Sequence, residues 1–160
     1  MSNLILPHGS EVVKPLILKG NTLIEEVKKA NSLLKVTCSS REVGDIIMLG
    51  IGGFTPLTGF MYKDDWKGVC DCMTMAEDLF WPIPITLSTD FITADSISLG
   101  TEITLVNRET DEQIATMVVN EKYIIDKIYE CNKVFKTSEL DHPGVAMVMS
   151  QGDVNLAGPI

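Results

Sequence analysis

The chain has 160 residues, 45% hydrophobic and 22% charged, a balance that belongs to one folded globular domain and excludes the high-charge regime of disorder. Its net charge is -9 and its only arginines are Arg41 and Arg108, so the bidentate phosphate clamps of nucleic-acid surfaces are scarce and an anionic membrane surface is repelled. No stretch reaches the ~18 consecutive apolar residues of a spanning helix, and no basic region precedes the apolar start Leu4-Ile5-Leu6, so the sequence reads as a cytoplasmic domain with no nucleic acid or membrane partner.

Glu11 to Leu18 is a short apolar run broken by Pro15, which predicts an edge strand or an extended arm. Asn21 or Thr22 can cap a helix over 22–33, in which Leu23, Ile24, Val27, Ala30 and Leu34 recur at helical spacing opposite Glu25, Glu26, Lys28 and Lys29. Residues 34–38 alternate toward a strand. Ser39 and Glu42 then form a capping box that starts a second helix, Arg41 to Leu49, with Val43, Ile46, Ile47 and Leu49 buried and Gly50, Gly52 and Gly53 as its stop. Phe54 to Phe60 is a tight loop anchored by its apolar side chains.

A third helix runs from Asp64 and Asp65 to about Cys72, its acidic residues at the positive end of the dipole, and Asp78 follows in a turn. From Trp81, Pro82 and Pro84 impose extended backbone and remove two donors, which predicts an edge strand with Ile83, Ile85 and Leu87 on one face and Thr86 and Ser88 on the other. Thr101 to Val106 and Ile114 to Val119 read as an antiparallel pair joined by the polar stretch 107–113. Tyr123 to Tyr129 fits either a continued strand or a short helix. Cys131 to Val134 is a short helix or turn, Thr137 to Gly144 a loop, and Val145 to Ser150 a short final element. The expected class is α+β, with helices mostly first and a curved mixed sheet after them.

Little in this order of residues carries chemistry. His8 in Pro7-His8-Gly9 and His142 in His142-Pro143-Gly144 adjoin turn residues, so each imidazole reads first as a turn-fixing hydrogen-bond partner, with Asp141 placed to hold the second ring. Gly52-Gly53 follows a helix instead of opening one and lacks a Gly-Lys-Ser/Thr ending, which argues against a phosphate loop. The carboxylate groups Asp64-Asp65, Asp71 with Glu77-Asp78, and Asp111-Glu112 read as solvated faces and caps, with no basic residue at a spacing that would define a site. Cys38, Cys70, Cys72 and Cys131 have no paired metal spacing and read as free thiols. No catalytic, cofactor-binding or metal-binding residue is assigned.

Gly53, Phe54, Pro56, Leu57, Gly59 and Phe60, followed by Trp81, Pro82, Ile83, Pro84 and Leu87, resemble two signature blocks of the ATP sulfurylase (sulfate adenylyltransferase) family, dissimilatory type. Pro7-His8-Gly9 and His142-Pro143-Gly144 flank them in the family's order. The resemblance implies a PUA-like pseudobarrel of mainly antiparallel strands with several short helices, the amino-terminal domain over 1–160 of a longer enzyme. It implies that the full-length enzyme uses ATP and magnesium, is a homo-oligomer, and serves sulfate assimilation or reduction. The family's catalytic runs, Gln-x-Arg-Asn-Pro-x-His and Gly-Arg-Asp-His, are not in these residues, so the chain is expected to be inactive alone and to pair with a nucleotidyltransferase domain following Ile160. The apolar end Asn155 to Ile160 reads as a strand cut short. A PUA-like RNA-binding module and a self-contained small-molecule-binding domain are the other classes weighed, the first disfavoured by the acidic balance.

Overall fold

A computed structural model of the chain describes residues 5–160, apart from the side chain of Glu77. The residues form two compact units, the first from segments up to Phe60, Glu102–Val118 and Gly158–Ile160, the second from Met61–Thr101 and Val119–Ala157. Each is α+β.

In the first unit, helix α1 (Gly20–Ala30) leads into strand β1 (Leu34–Cys38), helix α2 (Ser40–Gly50) and the short strand β2 (Gly59–Phe60). Strands β4 (Thr101–Asn107) and β5 (Gln113–Val119) complete a sheet of order β1-β4-β5. β1 runs parallel to β4, with Val36 opposite Leu105. The β4–β5 connection of five residues is too short for a crossover and makes that pair antiparallel. The α2 start follows the sequence closely: the Ser39 side chain accepts from the Glu42 amide while the Glu42 carboxylate accepts from the Ser39 amide at 2.8 Å. Its end is a Schellman motif, with Gly52 N–H donating to Leu49 O, Gly53 N–H donating to Met48 O at 2.7 Å, and Gly52 at φ 79°.

The second unit holds α3 (Lys63–Cys72), a 3₁₀ turn at Ala76–Asp78, β3 (Leu87–Thr89), α4 (Phe91–Ser96), β6 (Glu121–Ile124), α5 (Lys127–Val134) and α6 (Pro143–Ser150). Strand β7 (Val154–Pro159) lies between β3 and β6, antiparallel to both, with Asn155 opposite Ser88 on one side and Tyr123 on the other. Its last residues belong to the first unit, where Phe60 of β2 faces Gly158. Among the described residues neither strand order returns to its first strand, so the sheets are open.

Several expectations change. The run 11–18 is an extended arm and not a strand; the amides of Leu16 and Ile17 both donate to Gly50 O. α1 begins at Gly20 behind Lys19, which makes no side-chain cap, so neither Asn21 nor Thr22 caps it. Its apolar stripe is not covered: Leu23 is 44% exposed, and Ala30 is the helix's buried residue. Ile47 of α2 is likewise exposed. Extended backbone after Trp81 becomes a strand only at Leu87, and both faces of residues 85–89 are buried while Ile83 is exposed, so the alternation expected there does not hold. The segment 123–129 divides, with β6 ending at Ile124 and α5 starting at Lys127. α6 starts at Pro143, inside the expected loop.

Candidate functional site

The sequence-marked residues fall two and two between the units. In the first, Pro7-His8-Gly9 makes a turn closed by Ser10 N–H donating to Pro7 O at 3.3 Å, with Gly9 at φ 62° supplying the left-handed position. The second block, Gly53 to Phe60, is held at its base by Thr55: its hydroxyl donates to Gly52 O at 2.7 Å and accepts the Lys14 amide at 3.0 Å. Thr55–Pro56 is a cis peptide bond. Phe54 and Leu57 are half-buried, and Phe60 is buried. The loop therefore clasps the extended arm to the end of α2, and the amides of Gly53, Thr55 and Leu57 donate to nearby carbonyls.

In the second unit the Trp81 amide donates to Met73 O at 2.7 Å, and the ring is buried beside the prolines. His142 is the N-cap of α6: its Nδ1 accepts the Gly144 amide at 3.2 Å, Pro143 occupies the first turn, and the imidazole stacks near Phe135 with centroids 5.0 Å apart. A Cβ on Gly144 would meet the Phe135 ring at 2.7 Å. These contacts fix a helix start.

Two polar clusters escaped the sequence reading. Asp71, expected to be a solvated acid outside any site, receives the Lys67 ammonium from one turn earlier in α3, the Lys133 ammonium of α5 at 2.8 Å and the Tyr129 hydroxyl. The hydrogen bonds from Lys133, Lys67 and Tyr129 hold its carboxyl well below the ordinary range. The i,i+4 spacings Lys67–Asp71 and Tyr129–Lys133 are visible in the sequence, but their convergence requires α3 and α5 to be neighbours. Beneath this cluster Trp66 Nε1–H donates to the buried Glu130 carboxylate at 2.7 Å. Both clusters bind helix to helix, and the ammonium groups of the first are exposed but paired with Asp71. The side chain of Glu77, grouped with Asp71 in the sequence reading, lies outside the described residues.

Of the four free thiols, Cys38 and Cys70 are masked by burial. Burial pushes Cys38 and Cys70 up to about 12, leaving a negligible thiolate fraction at neutral pH. Among the described residues no group of three or more His, Cys, Asp or Glu side chains could hold a metal ion.

Asp45 in α2 gives a pH signature. Burial raises its carboxyl from 3.8 to about 6, opposed by Arg41, whose Nη1 lies 2.7 Å from Oδ2. A raised acid means the folded state holds the proton more tightly than the unfolded state, so its stabilisation is complete below about pH 4 and is lost as pH rises through about 6. Asp45→Asn is expected to flatten this fall, of order 2 kcal/mol, in urea midpoints collected from pH 4 to 7. An unchanged pH profile in the variant would contradict it.

The first unit also contains a groove of about 620 Å³ whose walls include Ile17 of the arm, Leu23 and Val27 of α1, Ile47 of α2 and Ile114 of β5. Its charged lining is Glu26, Glu102 and Lys29, with the ammonium 2.8 Å from Glu26 and 2.6 Å from Glu102. No His, Cys or Arg lines it, and its formal charge is negative, so it suits apolar atoms and repels ATP or sulfate. No helix of the described residues is long and apolar enough to cross a membrane.

The profile of the PUA-like domain family matches residues 5–160. The sulfate adenylyltransferase of Vesicomyosocius okutanii is 63% identical over 160 residues, 100% of this chain and 39% of that protein. That of Chlorobaculum tepidum is 59% identical over 158 residues, 98% of this chain and 39% of its own length. The matched part is the amino-terminal region of these relatives, and the chain spans about two fifths of their length. Among solved structures, a hexameric APS kinase from Thiobacillus denitrificans matches with a TM-score of 0.65 and 25% identity, over 75% of this chain and 24% of that one.

Proposed function

Because the chain belongs to the PUA-like domain family, we propose that it is the amino-terminal domain of a sulfate adenylyltransferase, one domain that supports a catalytic partner and does no chemistry itself. The observation that carries this reading is the relation of lengths: every residue aligns with a relative at 63% identity, yet the alignment spans only 39% of that relative. In the proposed reaction a sulfate oxygen attacks the α-phosphorus of ATP, the bond to the β,γ-diphosphate breaks, and adenosine 5′-phosphosulfate and pyrophosphate leave. Gathering those negative charges demands free cations and aligned amide donors. Here Lys67 and Lys133 are held by Asp71, Lys29 by two glutamates, and Arg41 by Asp45.

Magnesium, which the full-length reaction implies, does not fit this chain's residues: Asp71 faces two ammonium groups, and no carboxylate cluster among the described residues could take it. Its ligands belong to the partner domain and the nucleotide. We place the protein in the cytoplasm, in sulfate assimilation or reduction, and as part of a homo-oligomer, a reading supported by the hexameric state named for the T. denitrificans structure.

The test is the longer gene product. Purified polypeptide continuing beyond Ile160 is expected to release pyrophosphate only when ATP and sulfate are both present. A folded longer product without sulfate-dependent release would overturn the assignment.

A further inference from the structure

The groove of the first unit has an unusual wall. Six consecutive residues of β5, Gln113 to Val118, line it. Side chains of a strand alternate between faces, so six in succession bring the main chain of β5 as well as its side chains to the groove. Among the described residues β5 is an end strand of the order β1-β4-β5. A free edge beside apolar walls is the arrangement that accepts an added strand, through main-chain hydrogen bonds on one side and side-chain burial on the other. The same groove is lined by Leu23 and Val27, 44% and 47% exposed, on the α1 face that its own periodicity marks for burial.

Pro159 and Ile160 also line the groove, and the Ile160 amide donates to Thr58 O at 3.0 Å, so the main chain following β7 enters beside β5. We propose that the groove is filled by the polypeptide that follows Ile160 in the longer protein, laid as an additional strand along the edge of β5 with its apolar side chains against Leu23 and Val27. This rests on the reading that the chain is part of a longer adenylyltransferase, whose relatives carry about three fifths of their length outside the match. A covalently continuous segment has an effective concentration in the millimolar range, which a second copy at micromolar concentration does not reach. The negative lining at Glu26 and Glu102 further requires a segment without acidic side chains where it passes α1.

Hydrogen–deuterium exchange on the 160-residue chain and on the longer gene product tests this. Amides 113–118 are expected to exchange about tenfold or more slowly in the longer product, at any protein concentration. Val27→Lys in the longer product, at a position exposed enough to leave the fold intact, is expected to restore fast exchange at 113–118 while β4 stays protected. Equal exchange in the two lengths would overturn the proposal. So would protection of 113–118 in the short chain that grows with concentration alongside a dimer in sedimentation, since a second copy would then be the occupant. Pyrophosphate release measured on the same longer preparation separates the two readings: activity without protection sinks the strand, and protection without activity sinks the enzyme assignment.

Discussion

Trp66→Ala is expected to lower the unfolding free energy by about 3–5 kcal/mol, a large part of the ~5–15 kcal/mol that holds a domain of this size together. Two losses combine. The indole is 5% exposed and packs between Tyr123 and Tyr129, with ring centroids at 5.9 and 5.7 Å, so its removal opens a cavity inside the core cluster that includes Cys70 and Ile125. Its N–H also donates to the Glu130 carboxylate, itself 5% exposed, and a buried carboxylate that loses a donor keeps its desolvation cost. Trp66→Phe restores most of the volume and none of the hydrogen bond, so it is expected to fall between wild type and alanine. Urea unfolding followed by near-ultraviolet circular dichroism reads both. A loss below about 1 kcal/mol for alanine would show that the indole does not organise this core.

Gly59→Ala is the second large effect, and it acts through backbone crowding alone. A Cβ at this position would lie 2.0 Å from Gly158 O and 2.6 Å from Pro159 Cα. Both are main-chain atoms of β7, so no side chain can turn aside and the β2–β7 pair must separate. Overpacking of this kind costs about 1–3 kcal/mol. Gly44→Ala provides the opposite sign in the same assay: the residue is interior to α2, a Cβ there meets nothing within 4 Å, and alanine is expected to stabilise by about 0.5–1 kcal/mol. Equal effects from the two glycines would refute the steric account. Gly59 stands in the signature loop, so its presence there has a packing reason that requires no ligand.

Features written in short-range chemistry were legible in the sequence. Ser39 and Glu42 announce α2, Gly52 and Gly53 end it, and Asp64 and Asp65 mark the first turn of α3. His142 as a turn-fixing ring became a helix N-cap, a refinement of the same hydrogen bond. What escaped depends on partners distant in the chain. The stripe of Leu23, Ile24 and Val27 has helical spacing, but periodicity says which face is apolar and not what covers it. Ile83 precedes Pro84 in a bend, so the period of two that would place it with Ile85 starts only later. The strand at the end of the sequence is legible, but the central place of β7 appears only when β3 and β6 pair with it. Asp71 looked solvated because its second lysine lies sixty-two residues away on α5.

The family signature has the same character. Its residues secure a loop, a helix start and an extended segment, and the packing of each block accounts for its residues without a ligand. The direct measurement is pyrophosphate release by the purified 160-residue chain given ATP, magnesium and sulfate, with contaminating enzyme excluded. The account predicts a rate equal to the protein-free blank. Sulfate-dependent release that scales with the amount of this chain would contradict it.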